Sequence, residues 1–166
     1  ALAPHLPVTA NILLGVEPAR RGWLARGWLG RGWLDHGEAA RLAGEALATL
    51  EHAEISLEAP TGTLSAGAQQ IVEVARALVT GAKIVVFDEP TSSLTRRDSE
   101  KLFEVIRTLS RRGVAVVYIS HFLEEVEEIA HTMTVLRDGR PAGWGKTGQT
   151  PRRRIIQWMV GRELKE

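Results

Sequence analysis

The chain has 166 residues and no cysteine, is 44% apolar and 25% charged, and carries a formal net charge of +1 at pH 7. Disulfide and thiolate chemistry and most zinc sites are thereby excluded, no redox function is expected, and so even a charge disfavours bulk nucleic acid as a partner. The longest apolar runs, 84–87 and 114–119, fall far short of the roughly 18 residues of a membrane-spanning helix.

In chain order, the first distinctive segment is "RGWLARGWLGRGWLD" over 21–35, three Arg-Gly-Trp-Leu copies at a five-residue step. Five fits neither the helical nor the strand period, and the glycines oppose a stable helix. The segment reads as a duplicated loop insertion, the alternative being an aromatic-basic element for a membrane surface, a partner or nucleic acid. Ala39, Leu42, Ala43, Ala46, Leu47 and Leu50 then recur at helical spacing, predicting an amphipathic helix over 38–50. A turn at 60–62 leads to "LSAGAQQIVEVARALVTG", a second helix whose stripe is Ile71, Val72, Val74, Ala75, Leu78 and Val79, with Gly81 as its stop.

The period then changes. Residues 84–87 form a continuous β-branched and aromatic run, the pattern of a strand buried on both faces. A helix over 98–109 follows, ended by Gly113, then a second apolar strand over 114–119 and a short acidic helix over 123–129. "MTVLRDGRPAGW" reads as a hairpin about Asp138-Gly139. From Pro151 the chain closes with a helix bearing Ile155, Ile156, Met159 and Val160 on one side, and its "PRRR" start reads as solvated. Strand, helix, strand, helix, hairpin is an α/β order with a parallel sheet.

Ligands in parallel α/β sheets gather at the carboxyl ends of strands. One strand here delivers Asp88 and Glu89, the next Ser120 and His121. A carboxylate suits a hard cation such as Mg²⁺, and a second beside it can polarise a water for attack on a phosphate. Upstream, Ser65, the backbone at Gly67 and the start of a helix form an anion site. Each feature also has a plainer reading: a strand-ending Asp caps a turn, a lone His is structural, and Ser65 is an ordinary N-cap.

The order "LSAGAQQIVEVARAL", "IVVFDEPTSSL", "VVYISHFLEEV", "VLRDGR" resembles an ABC-type ATPase domain over nearly the whole chain. With "LAPHLPVTANILLG" at the start and "MVGRELKE" at the end, it most resembles the first nucleotide-binding domain of monosaccharide-import ATPases of the ribose, galactose and xylose type. The resemblance implies a P-loop NTPase core with a helical subdomain: 1–80 carries the signature motif, 81–150 the remaining α/β core, and 151–166 the closing helix. It implies ATP and Mg²⁺ as cofactors. Asp88 would end the Walker B strand and hold Mg²⁺ through water, Glu89 would be the general base, and His121 the switch residue at the γ-phosphate. Ser65, Ala66, Gly67 and Gln69 of the signature segment and Ser93 of the D-loop would serve the nucleotide of an opposing domain. Ala66, Ala68, Thr95, Ala10 and Phe122 depart from the commoner pattern.

The resemblance also implies partners: transmembrane permease subunits, a second nucleotide-binding domain in an ATP-sandwich dimer, indirectly a periplasmic sugar-binding protein, and no nucleic acid. The place would be the cytoplasmic face of the membrane. No G-x-x-x-x-G-K-[ST] loop precedes Asp88, so the early part of the domain is expected to be missing and the chain alone to be inactive. Gly145-Lys146-Thr147 is a decoy: six places before Lys146 stands Arg140, and Gly148 and Pro151 oppose an immediate helix. A non-catalytic interaction module and an ABC-type ATPase working off the membrane are the alternatives.

Overall fold

The computed structural model describes residues 2–18 and 35–161, so the Arg-Gly-Trp-Leu repeats lie outside the described residues, Asp35 excepted. Two compact units divide the chain, Ala1–Val117 and Tyr118–Glu166. No helix among the described residues is long and apolar enough to cross a membrane.

In the first unit, α1 (Val8–Leu13), α2 (His36–Thr49) and α3 (Ala66–Val79) pack against one another, and α3 also packs on α4 (Arg96–Arg111). Helix α2 starts where Asp35 accepts a hydrogen bond from Glu38 N at 3.1 Å, and it buries the small side chains Ala39, Ala43 and Ala46 beside Leu47. Small residues let the neighbouring helix axes approach. Helix α4 extends past the expected 98–109 at both ends. Thr95 accepts from Asp98 N at 3.2 Å and donates to Asp98 Oδ2 at 2.7 Å, a reciprocal cap that fixes the start. Leu102, Phe103, Val105, Ile106 and Leu109 are all buried, each apolar side chain contributing about 1.5–3 kcal/mol.

Helix α1, which periodicity did not signal, is held by Asn11. Its Oδ1 accepts from Ala3 N (2.8 Å), and its Nδ2 faces Ala3 O (3.0 Å) and Thr61 Oγ1 (2.7 Å). Thr61 in turn donates to Leu6 O at 3.1 Å, closing a buried polar knot between 3–11 and the 3₁₀ turn Thr61–Thr63.

Strand β1 (Ile84–Asp88) pairs with β2 (Ala115–Ile119). Ala115 N donates to Lys83 O at 2.9 Å, so the two strands leave from the same edge, as a parallel pair does, with α4 as the crossover. The expectation of burial on both faces is overturned. Ile84 is 62% exposed, Val86 59% and Val117 47%, while Phe87 is buried, so exposure alternates along the strand. A parallel sheet is apolar on both sides because helices cover both; among the described residues one side only is covered.

In the second unit, α5 (Leu123–Ile129) precedes the antiparallel hairpin of β3 (Thr132–Arg137) and β4 (Arg140–Lys146), on which α6 (Arg152–Val160) packs. Asp138 (φ 52°) and Gly139 (φ 73°) make the turn, since a two-residue hairpin loop of this hand needs positive φ at both places. Gly143 is glycine because a Cβ there would overlap the Trp158 indole. The apolar side expected of α6 is only partly buried: Ile155 is inside, whereas Met159 and Val160 are exposed and Trp158 supplies the contact instead. Arg152 is exposed and ion-pairs with Glu124, and Arg154 lies over Trp158 at 5.6 Å.

Candidate functional site

Strand β1 ends at Asp88, and the chain must then turn within seven residues to reach the start of α4 at Arg96. Glu89 makes the turn at φ 44°, a left-handed conformation that costs a non-glycine residue about 1–2 kcal/mol. The turn is held from both sides: Ser92 N donates to Glu89 O at 3.2 Å and Leu94 N to Thr91 O at 3.0 Å, while Pro90 and Thr91 are buried. Asp88 and Glu89 themselves are exposed. Beside them a cleft of about 380 Å³ opens between α3 and β1, lined among others by Gln70, Glu73, Val74, Ala77, Asp88 and Pro90. Ser93 is exposed in the turn that follows.

The start of α3 collects the second group. Ser65 is exposed, and its Oγ accepts from Ala68 N at 3.2 Å, the plain N-cap role; the hydroxyl keeps its own proton to donate. Ala66 follows, exposed. Gln69 turns back, its Nε2 donating to Leu64 O at 3.0 Å and bracing the turn ahead of the helix. Gly67 is buried against α4: a Cβ built on it would lie 2.8 Å from Asp98 Cβ. The glycine therefore permits a close helix approach, whatever else its amide does. Ser65 and Gly67 border a small hollow with His52, Glu54, Asp98 and Lys101. There the His52 hydrogen bond at 2.8 Å, with Lys101 adding positive charge, holds the Glu54 carboxyl below its usual range.

Asp88 and Glu89 are thus neighbours at one strand end, and Ser65, Ala66, Gly67 and Gln69 gather at the start of α3; Asp88 lines one hollow, Ser65 and Gly67 another. His121 belongs to the second unit. It is exposed, its ring tilted 39° against Phe122 with centroids 4.0 Å apart. The backbone around it is braced by Glu125, whose Oε2 accepts from Ser120 Oγ (2.7 Å) and Tyr118 OH (2.9 Å), while Ser120 Oγ accepts from Phe122 N (3.0 Å).

Sequence reasoning passed over Gln70, which joins the two groups. Its Nε2 donates to Pro90 O at 2.5 Å, tying α3 to the residue after Glu89. The available signal was its place beside Gln69 at the opening of the helix.

The donor chemistry at Asp88 fits Mg²⁺, which takes one or two carboxylates when phosphates and waters complete its shell. Among the described residues no group of three or more ligating side chains forms a dedicated cage. Gly145-Lys146-Thr147 has no cradle geometry: Lys146 ends β4, Gly145 abuts Thr150, and Gln149 N and Thr150 N both donate to Lys146 O.

Known proteins resemble the chain in sequence and in fold. The chain is 42% identical over 165 residues to the ribose import ATP-binding protein RbsA of Rhodopirellula baltica, covering 99% of this chain and 30% of that one. It is 38% identical over 164 residues to the xylose import ATP-binding protein XylG of Brucella abortus, with the same coverage of 99% and 30%. The chain therefore spans about 30% of the length of these relatives. Among solved structures, the dimeric bacterial ABC transporter cassette MJ0796 superposes with a TM-score of 0.66 at 26% identity, over 90% of this chain and 60% of that one. The ADP conformation of the cassette MJ1267 matches in fold, with a TM-score of 0.72 at 21% identity over 96% and 64% of the two chains. The model of the ABC transporter family itself matches residues 2–92, which take in the helical bundle, the start of α3 and the carboxylate pair. With that match over more than half its length, the chain belongs to the ABC transporter family.

Proposed function

We propose that this chain is part of the ATP-binding, ATP-hydrolysing subunit of an ABC transporter that imports a monosaccharide. The observation that carries the reading is the match, across 99% of the chain, to ribose and xylose import ATP-binding proteins. Residues 1–80 are assigned to the helical, signature-bearing part, 81–150 to the rest of the catalytic core, and 151–166 to the closing segment that contains α6. The partners are permease subunits in the membrane, a second nucleotide-binding domain and, through the permease, a periplasmic sugar-binding protein. The dimeric state of the MJ0796 cassette supports the second of these. The subunit works at the cytoplasmic face of the membrane.

In this reading Asp88 holds hydrated Mg²⁺, which when bound neutralises charge on the phosphate oxygens. Glu89, exposed at the strand end, accepts a proton from the attacking water. His121 donates a hydrogen bond to the γ-phosphate. Ser65, through its own hydroxyl proton, and the backbone of Ala66 and Gly67 meet the phosphates held by the opposing domain, with Gln69 bracing that turn, and Ser93, in the turn after Glu89, serves the same nucleotide.

Segment exchange tests the proposal. This chain replaces the matching 165 residues of a ribose import ATP-binding protein, and steady-state Mg-ATP hydrolysis is measured with and without Glu89→Gln. The exchanged protein is expected to hydrolyse ATP, and Glu89→Gln to lower kcat by about 100-fold or more with ATP binding retained. Hydrolysis undiminished by Glu89→Gln refutes the assignment.

A further inference from the structure

We propose that Gln70 is a positioning residue for Glu89, tying the first turns of α3 to the segment that carries the carboxylate. The inference rests on the reading of Glu89 as the base. A prolyl carbonyl only accepts, so the 2.5 Å contact with Pro90 O requires the amide nitrogen of Gln70 to face it. Its Oε1 is then left buried, without a hydrogen-bond partner among the described residues.

Glu89 sits between two anchors. On one side is strand β1, paired with β2; on the other is Pro90, whose ring fixes its own φ. Holding the Pro90 carbonyl therefore fixes the far side of a residue already in a disfavoured conformation at φ 44°. Loss of the tie removes the restraint on the Pro90 side of Glu89.

Gly67 adds a second grip. It lies three residues before Gln70 and so on the same side of α3. There it touches Asp98, with room for no Cβ at the 2.8 Å approach. One side of α3 thus holds the 89–98 segment at both of its ends, at Pro90 and at Asp98. A displacement at Ser65 and Ala66 reaches Glu89 in the same chain instead of dissipating in the turn.

The test is Gln70→Met, close in size and unable to donate, made in the exchanged import protein and in the 166-residue chain. In the former, kcat is expected to fall about tenfold while KM for ATP changes less than about twofold, because Gln70 holds the base and not the nucleotide. In the latter, amide hydrogen exchange at Ser92 and Leu94, whose donors close the 89–94 turn, quickens about tenfold while α2 is unchanged. If Gln70→Met also loosens α2, Gln70→Glu, equal in length and an acceptor facing an acceptor, takes its place with the same expectation. An unchanged kcat, a KM that rises in step, or unaltered exchange at Ser92 overturns the tie. Glu89→Gln separates the two levels. If it silences hydrolysis while Gln70→Met leaves kcat unchanged, the tie alone is wrong; if it does not, the base assignment and the tie fall together.

Discussion

Asn11 is fully buried, and its amide is shared among Ala3, Leu6, Pro7 and Thr61 at 2.7–3.2 Å. Removing it would take the donor from the Thr61 hydroxyl, which keeps its own bond to Leu6 O, and the acceptor from the Ala3 amide, and each unsatisfied buried group costs about 1–3 kcal/mol. Asn11→Ala is therefore expected to destabilise the chain by about 3 kcal/mol, read as a lower urea midpoint with an unchanged slope. Nothing in the sequence marked this residue as a hub. A lone Asn in a six-residue helix generates no period, and its partners lie up to 50 positions away. Gly67 was legible in part. The glycine suggested close approach by a phosphate, whereas the neighbour the structure supplies is Asp98, from a helix whose packing could not be read from spacing.

Helix ends show how local chemistry decides boundaries. Thr95 and Asp98 start α4 two residues before its apolar stripe suggests, because a cap operates where no side chain is buried. Helix α2 ends with Glu51 at φ 64° and His52 N donating to Leu47 O at 2.9 Å, which tucks the His52 ring inside against Glu54. The hydrogen bond from His52 is the chief cause of the lowered Glu54 pKa. A carboxyl whose folded pKa lies below its unfolded value adds stability above its ordinary range, and that stability is lost as pH falls through the folded value. The contribution is small, since the Glu54 side chain is 62% exposed. Carboxyl NMR is expected to place the Glu54 midpoint below the ordinary 4.5, and His52→Leu to move it back up. A midpoint indifferent to His52→Leu would show that the imidazole does not hold it.

At the scale of the whole molecule, the alternation of helix and strand was legible because period and β-branching change abruptly at Ile84 and Val114. The carboxylate pair was legible because it ends such a run. What covers each face was not, since an apolar side chain signals that water should be excluded without naming the neighbour that excludes it. Ile84, Val86 and Val117 lie exposed along β1 and β2, while Phe87, pointing the other way, is 8% exposed. Three exposed β-branched residues on adjoining strands offer apolar surface of the kind that binds amphiphilic dyes. The folded chain is therefore expected to raise the fluorescence of anilinonaphthalene sulfonate in native buffer. Replacing Ile84 and Val86 together by threonine, which keeps strand propensity while adding a hydroxyl, should remove about half of that signal or more without shifting the urea midpoint downward, because neither side chain is buried to begin with. A signal that survives the double substitution would put the dye elsewhere and show that these strands are covered in solution.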